Sequence, residues 1–338
     1  MKSWRYVWLV LFSLPLQAVE INGAGASFPA PLYAKWFSDY NKLHPDVRVN
    51  YQSVGSGGGI RQFTEQTIDF GATDAPMNEE QLKATESKGG EVLHLPTVMG
   101  AVVVTYNLPG VESGLKLNAE VLADIFLGKL TKWDDKKIKE LNPKLILPTG
   151  KDILVVHRSD GSGTSAIFTD FLSKSSPEWQ KKVGTSTTPN WPLGLGAKGN
   201  EGVAGQVKQT PGSIGYIELI YAESNKLPYA AMKNPAGQFV LPSMKSVAAA
   251  AMGVTVPEHF RVSLTNAAGK EAYPISGFTY LLVWKNVADN EKSKEWVKLL
   301  KWALTDGQAM ATKMFYAPLP EVLGKRVLAS ISSIQLKK

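Results

Sequence analysis

Cysteine is absent from the 338 residues, which excludes disulfide frameworks, thiolate zinc sites, iron–sulfur clusters and cysteine nucleophiles together. Histidine is almost as scarce. The four present (His44, His94, His157 and His259) are too far apart for an H-E-x-x-H pair or a histidine-rich tract, so no metal and no cofactor is expected. Long apolar runs are also missing. The one stretch of note, Val7 to Leu16, is shorter than the roughly 20 residues a bilayer-spanning helix needs. It follows Lys2 and Arg5 and ends in Leu16-Gln17-Ala18, the pattern of a secretory signal peptide over residues 1–18, with cleavage after Ala18. No cysteine follows it, so anchoring through a lipidated N-terminal cysteine is excluded, and an unanchored periplasmic protein is expected. A strong charge of one sign is lacking as well. Without Lys2 and Arg5, 35 basic side chains face 30 acidic ones, a slight excess for a nucleic-acid binder. The densest basic stretch, Lys129 to Lys139, is interleaved with Asp134 and Asp135 and reads as a solvated surface.

What remains has the balance of an ordinary globular protein, with 44% hydrophobic and 20% charged residues, and a length that suggests about two domains. Short β-branched or apolar runs alternate with amphipathic stretches, which points to α/β architecture. Strands are expected over Val47–Tyr51, Val92–Leu95, Ala101–Tyr106, Ile153–Val156, Ile214–Ile217 and Tyr280–Trp284. Helices are expected over Pro29–Tyr40, Ile60–Thr67, Ala119–Leu127, Ser165–Lys174, Val203–Gln209 and Lys292–Leu304. In the last, Trp296, Leu299, Leu300 and Ala303 share one face.

Three glycine-rich loops each carry a hydroxyl residue and run into an expected helix. They are Gly23-Ala24-Gly25-Ala26-Ser27-Phe28-Pro29, Gly55-Ser56-Gly57-Gly58-Gly59 and Asp160-Gly161-Ser162-Gly163-Thr164. Helix starts leave N–H groups unpaired at the positive end of the macrodipole, and glycine lets an anion approach the backbone. Converging in space, the three would form a multi-donor oxyanion site. Taken singly, Ser27, Ser56 and Thr164 also look like ordinary N-caps, and Pro29 suits a first helical turn. Arg158 precedes the third loop, where its planar guanidinium suits bidentate contact with an oxyanion or an ion pair with Asp160. Asp74, in Asp69-Phe70-Gly71-Ala72-Thr73-Asp74-Ala75-Pro76, reads either as a helix cap or as the one acceptor among donors, which would take a hydrogen bond from a protonated oxyanion.

Other motifs fail. No G-x-x-x-x-G-K-[ST] is present, and Gly194 to Gly199 match G-x-G-x-x-G only after Pro189 and Pro192, where a preceding strand is implausible. Ser162 lacks the first glycine of G-x-S-x-G, and His157 is the only base candidate near it. A secreted phosphatase using Ser162 as nucleophile is the alternative from a different class.

The three loops, the Asp69–Pro76 segment, Arg158-Ser159-Asp160, Gly128-Lys129 with Lys132-Trp133-Asp134-Asp135, Trp191-Pro192-Leu193-Gly194 and Gly212-Ser213-Ile214-Gly215-Tyr216 occur in an order that closely resembles the periplasmic phosphate-binding proteins of ABC-type phosphate-specific transporters. The resemblance implies a two-lobed α/β periplasmic-binding-protein fold, type II-like, with two crossover segments near Pro96–Gly100 and Tyr273–Ser276 and a ligand cleft between the lobes. It implies a discontinuous first lobe, residues 19–98 plus 274–338, and a second lobe, residues 99–273. Carried over residue by residue, the phosphate ligands fall on Ser27, Phe28, Ser56, Asp74, Arg158, Asp160, Ser162, Gly163 and Thr164. Ser27 stands where threonine is usual, and Gly57 where a second serine is common. The partners implied are inorganic phosphate and the membrane permease subunits with their cytoplasmic ATPase; no nucleic acid is expected, and a monomer is. Sulfate or molybdate is the alternative ligand, and no enzymatic activity is expected.

Overall fold

The computed structural model describes residues 18–338, so all of the expected signal peptide except Ala18 lies outside the described residues. An eight-stranded sheet organises the chain. Its strands are β1 (Val19–Gly25), β2 (Val47–Ser53), β3 (Phe70–Thr73), β4 (Val92–Tyr106), β5 (Leu154–Arg158), β6 (Leu195–Ala197), β7 (Ser213–Glu218) and β8 (Ser276–Trp284). The spatial order is β2-β1-β3-β8-β4-β7-β5-β6. Pairing is parallel within β2-β1-β3 and within β7-β5-β6, and antiparallel along the β3-β8-β4-β7 seam that joins the two trios. Within each trio helices make the crossovers that parallel strands need, and further helices flank the sheet. They include α1 (Ala30–Leu43), α2 (Ser56–Thr64), α3 (Glu79–Gly89), α4 (Ala119–Phe126), α5 (Gly163–Ser175), α6 (Gly199–Gln209), α7 (Leu219–Asn225) and α8 (Glu291–Ala303).

Burial follows the sequence pattern. Helix α1 buries Leu32, Tyr33, Trp36, Phe37 and Tyr40, and α8 buries the expected Trp296, Leu299, Leu300 and Ala303. The lysines of the 129–139 stretch do lie in surface ion pairs, Lys132 with Asp152 and Lys137 with Glu120 and Asp124. Trp133 in their midst belongs to the core, its Nε1 donating to the Gly212 carbonyl at 2.9 Å.

One expectation is corrected and one strand is added. Strands Val92–Leu95 and Ala101–Tyr106 are one continuous strand, β4, that runs through Pro96. Proline removes a ladder donor, and the register along β8 shifts at that point, between Thr279 (opposite Val98) and Tyr280 (opposite Pro96). The bulge absorbs the missing hydrogen bond. The sequence gives no expectation for Leu195–Ala197 itself, and no strand immediately precedes Gly194, as Pro189 and Pro192 imply. Leu195–Ala197 forms β6 at the sheet edge, parallel to β5, where three residues suffice and the prolines precede the ladder. The Gly194–Gly199 motif therefore straddles a strand instead of following one.

Strand β4 pairs with β8 from Val92 to Ala101 and with β7 from Val102 to Tyr106, so its partner changes at the middle of the sheet. This seam brings the carboxyl ends of both parallel trios toward each other. In open α/β sheets the crevice beyond those ends is where ligands bind.

Candidate functional site

Each strand of the two trios delivers a polar residue to that crevice. β1 leads through Gly25 to Ser27 and Phe28, β2 to Ser56 at the start of α2, and β3 directly to Asp74. From the other trio, β5 ends in Arg158 and leads to α5, β6 leads to Asn200 in the first turn of α6, and β7 ends in Glu218. The loops touch. The Gly57 N–H donates to the Gly161 carbonyl at 2.9 Å, and the Gly163 N–H donates to Ser56 Oγ at 3.0 Å. Gly57 has a local reason to be glycine here, because a Cβ would sit 3.2 Å from the Gly161 Cα.

Donors dominate. Ser56 Oγ accepts from the N–H groups of both Asp74 (3.2 Å) and Gly163, which fills its two lone pairs and leaves its hydrogen to give. Among the described residues, the N–H groups of Phe28, Ser56 and Thr164 have no acceptor. The Phe28 ring is fully buried, and its carbonyl accepts from Tyr316 at 2.6 Å. Ser162 caps α5, its Oγ accepting from the Ser165 N–H at 3.0 Å. Its hydroxyl hydrogen remains available. Thr164 follows inside the helix, so it is not the cap.

Arg158, 3% exposed, forms a bidentate pair with Asp160, Nε to Oδ1 at 2.7 Å and Nη2 to Oδ2 at 2.6 Å. Its remaining terminal nitrogen, Nη1, reaches Thr164 Oγ1 at 3.4 Å. Burial pulls the Asp160 carboxyl upward, but the Arg158 hydrogen bonds and charge overrule it and hold it below the usual range. The pair is thus charged on both sides and nearly neutral in sum. Asp160 also orients α6, accepting from the Gly199 N–H at 3.1 Å.

Asp74 is the acceptor. Thr279, which flanks the β4–β8 bulge, donates to its Oδ1 at 2.8 Å, and Oδ2 packs against Gly163. Burial pushes its carboxyl up to about 7, against the hydrogen bonds of Thr279 and Ser56 and the charge of Arg158. A cleft of about 340 Å³ lined by Ala166, Ile167, Arg261 and Phe278 reaches Asp74.

All nine expected residues are therefore gathered at one crevice, but three participants went unread in the sequence. Asn200 Nδ2 donates to Ser27 Oγ at 2.9 Å and to Thr164 Oγ1 at 3.1 Å. Tyr221 donates to the Ser27 carbonyl at 2.6 Å. Glu218, fully buried, caps α7 and gives its N–H to Asn200 Oδ1 at 2.9 Å, and burial raises its carboxyl well above the usual range. A polar residue directly after Gly199, where a helix opens, was the available signal for Asn200. Burial of Glu218 leaves no trace in the sequence. His157 stacks on Trp191 with ring centroids 4.9 Å apart, and its Nδ1 faces the Arg158 carbonyl, so it is not bonded to Ser162.

Two parallel trios joined by an antiparallel seam, with a donor-rich crevice at their carboxyl ends, define a two-lobed α/β binding protein of the periplasmic type. The model of the PBP superfamily domain matches residues 15–305. The chain is 46% identical over 316 residues to the phosphate-binding protein PstS of Xylella fastidiosa, spanning 93% of this chain and 85% of that one. It is 45% identical over 324 residues to PstS of Haemophilus influenzae, with 95% of each chain covered. The chain belongs to the PstS family of phosphate-binding proteins. Among solved structures, a high affinity periplasmic phosphate-binding protein bound with phosphate superposes with a TM-score of 0.75 at 24% identity, covering 92% of this chain and 93% of that one. A phosphate-binding protein from Stenotrophomonas maltophilia gives 0.75 at 20% identity, covering 92% and 94%; both show the shared fold.

Proposed function

We propose that this chain is a phosphate receptor: it binds inorganic phosphate between its lobes and delivers it to the permease of an ABC transporter. The observation that carries this reading is the balance of the crevice, in which backbone N–H groups, hydroxyls and one guanidinium face inward and a single carboxylate, Asp74, accepts. Removing a multiply charged anion from water is tolerable only when nearly every oxygen lone pair finds a donor. A proton on that anion in turn needs one acceptor, and phosphate carries one where sulfate does not.

The ligands in this reading are Ser27, Phe28, Ser56 and Asp74 from one lobe and Arg158, Ser162, Gly163 and Thr164 from the other, with Asp160 holding Arg158. The lobes are residues 19–98 plus 274–338 and residues 99–273, a division supported by the change of β4's partner after Ala101. The first crossover is then the middle of β4 and the second is the approach to β8. The N-terminal pattern supports export to the periplasm with release of residues 1–18, and no described helix is long and apolar enough to cross a membrane. The receptor role asks for no reacting group.

Titration calorimetry of the exported chain with phosphate, arsenate and sulfate tests the reading. Tight one-to-one binding of phosphate with sulfate ignored supports it; equal binding of sulfate, or no binding of phosphate, overturns it.

A further inference from the structure

Asn200 is fully buried at the second position of α6, and all its polar side-chain atoms are occupied. The orientation of its amide is settled by a neighbour whose role is fixed. Oδ1 lies 2.9 Å from the backbone nitrogen of Glu218, which can only donate, so Oδ1 accepts and Nδ2 faces the two hydroxyls as a donor. A hydroxyl offers two lone pairs and one hydrogen. Ser27 Oγ accepts from Nδ2 at 2.9 Å and from the Asn200 backbone N–H at 3.2 Å. Thr164 Oγ1 accepts from Nδ2 at 3.1 Å and from Arg158 Nη1 at 3.4 Å. Both oxygens are filled as acceptors, and each retains only a hydrogen to give.

We infer that Asn200 is a positioning residue that fixes the hydroxyls of Ser27 and Thr164 as hydrogen-bond donors toward phosphate, one from each lobe, through a single amide nitrogen. The inference rests on the phosphate reading above. Without the amide N–H, each hydroxyl is free to turn its hydrogen elsewhere and offer a lone pair to an anion oxygen that needs a donor. With a carboxylate at position 200, the hydroxyls donate to it and face the anion with their lone pairs. The chain from Glu218 N–H through the amide to two hydroxyls has one direction throughout. The C-terminal end of β7 therefore helps to set the polarity of the anion site.

The test uses calorimetry with inorganic phosphate on the exported chain. Asn200→Asp keeps shape and the Glu218 bond but reverses the donor, and is expected to weaken binding at least ~100-fold, since charge and polarity both turn against the anion. Asn200→Ala isolates orientation from charge and is expected to cost about tenfold, the size of one neutral hydrogen bond. In a Ser27→Ala background the same Asn200→Ala change is expected to cost at least ~3-fold less, because part of what Asn200 orients is gone. A purely structural role for Asn200 gives the same factor in both backgrounds, and that result overturns the inference, as does an Asn200→Asp chain that binds within ~3-fold of wild type. Thermal melts report folding, and if Asn200→Ala fails to fold the isosteric Asn200→Asp decides. Wild-type titrations with phosphate and sulfate keep the two readings apart. If the unmodified chain takes sulfate and not phosphate, the phosphate reading falls while the same cycle run with sulfate decides the role of Asn200; if it takes neither, both fall.

Discussion

Asp74 combines two requirements that pull in opposite directions. As the proposed ligand it has to be buried, at 4% exposure, beside a desolvated anion, and burial raises its carboxyl to about 7. Above that pH it is charged and, in the proposed site, would accept a hydrogen bond from a protonated phosphate oxygen and repel sulfate. Below it, the protonated carboxyl becomes a donor to a fully ionised oxygen. Rejection of sulfate by the wild-type chain is therefore expected to weaken as pH falls from 8 to 6, and Asp74→Asn is expected to bind sulfate relative to phosphate better at every pH. Competition titrations at the two pH values measure both, and an Asn variant that rejects sulfate as firmly as wild type removes Asp74 from the selectivity. The same group shapes stability. Its folded value lies above the ordinary 3.8, so its contribution is fully present below the ordinary value and is lost as pH rises through about 7. Ligand-free melts should show the Asn variant gaining on wild type by a few kcal/mol over that window. Arg158→Ala removes one half of a buried bidentate pair and leaves Asp160 with the Gly199 N–H. A loss of at least ~2 kcal/mol in phosphate binding is expected, with Arg158→Lys restoring only part, because a point charge cannot form the fork. Unchanged affinity by calorimetry would falsify the assignment.

At the scale of elements, the strand–loop–helix units were legible because each combines three independent local signals: glycine at the turn, a hydroxyl at the helix start and apolar periodicity after it. Helix α1 and the donor loops follow from them to within a few residues, whereas α4 and α8, capped by Asn118 and Asn290, follow from apolar periodicity. What local signals could not show is what depends on partners. Pro96 argues against a continuous strand until the bulge opposite it is known, and β6 is a strand only because β5 lies beside it. Asn200 and Glu218 become site residues through burial between elements far apart in sequence. Glycine at the third loop has a specific steric basis. A Cβ at Gly163 would lie 2.5 Å from Ser56 Oγ and 2.6 Å from Asp74 Oδ2. Gly163→Ala is therefore expected to push the two loops apart and lower phosphate affinity by at least ~10-fold, with helix α5 intact because alanine favours helix. Calorimetry and far-ultraviolet circular dichroism check the two halves of that statement; wild-type affinity would show that the loops do not need this close approach.

For the whole molecule, the crevice proposed to hold the anion is closed by contacts between the two sides: Gly57 with Gly161, Ser56 with Gly163, and Ser27 with both Asn200 and Tyr221. A ligand that touches both sides favours the arrangement in which they meet, by its extra contacts there. The radius of gyration from small-angle scattering is expected to fall when phosphate is added, and a constant value despite demonstrated binding would count against a bridging site.

The seam also governs how the chain can be made. Strand β8 lies between β3 and β4 in space, yet it is drawn from residues 276–284, long after both neighbours. Until that stretch is available, β3 and the first ten residues of β4 have an unfilled position between them, and the sheet cannot close. Contacts of such sequence separation come late and slowly. Under the proposed export from the N-terminus, the chain would carry its own delay: most of it would have to pass before its central sheet could lock.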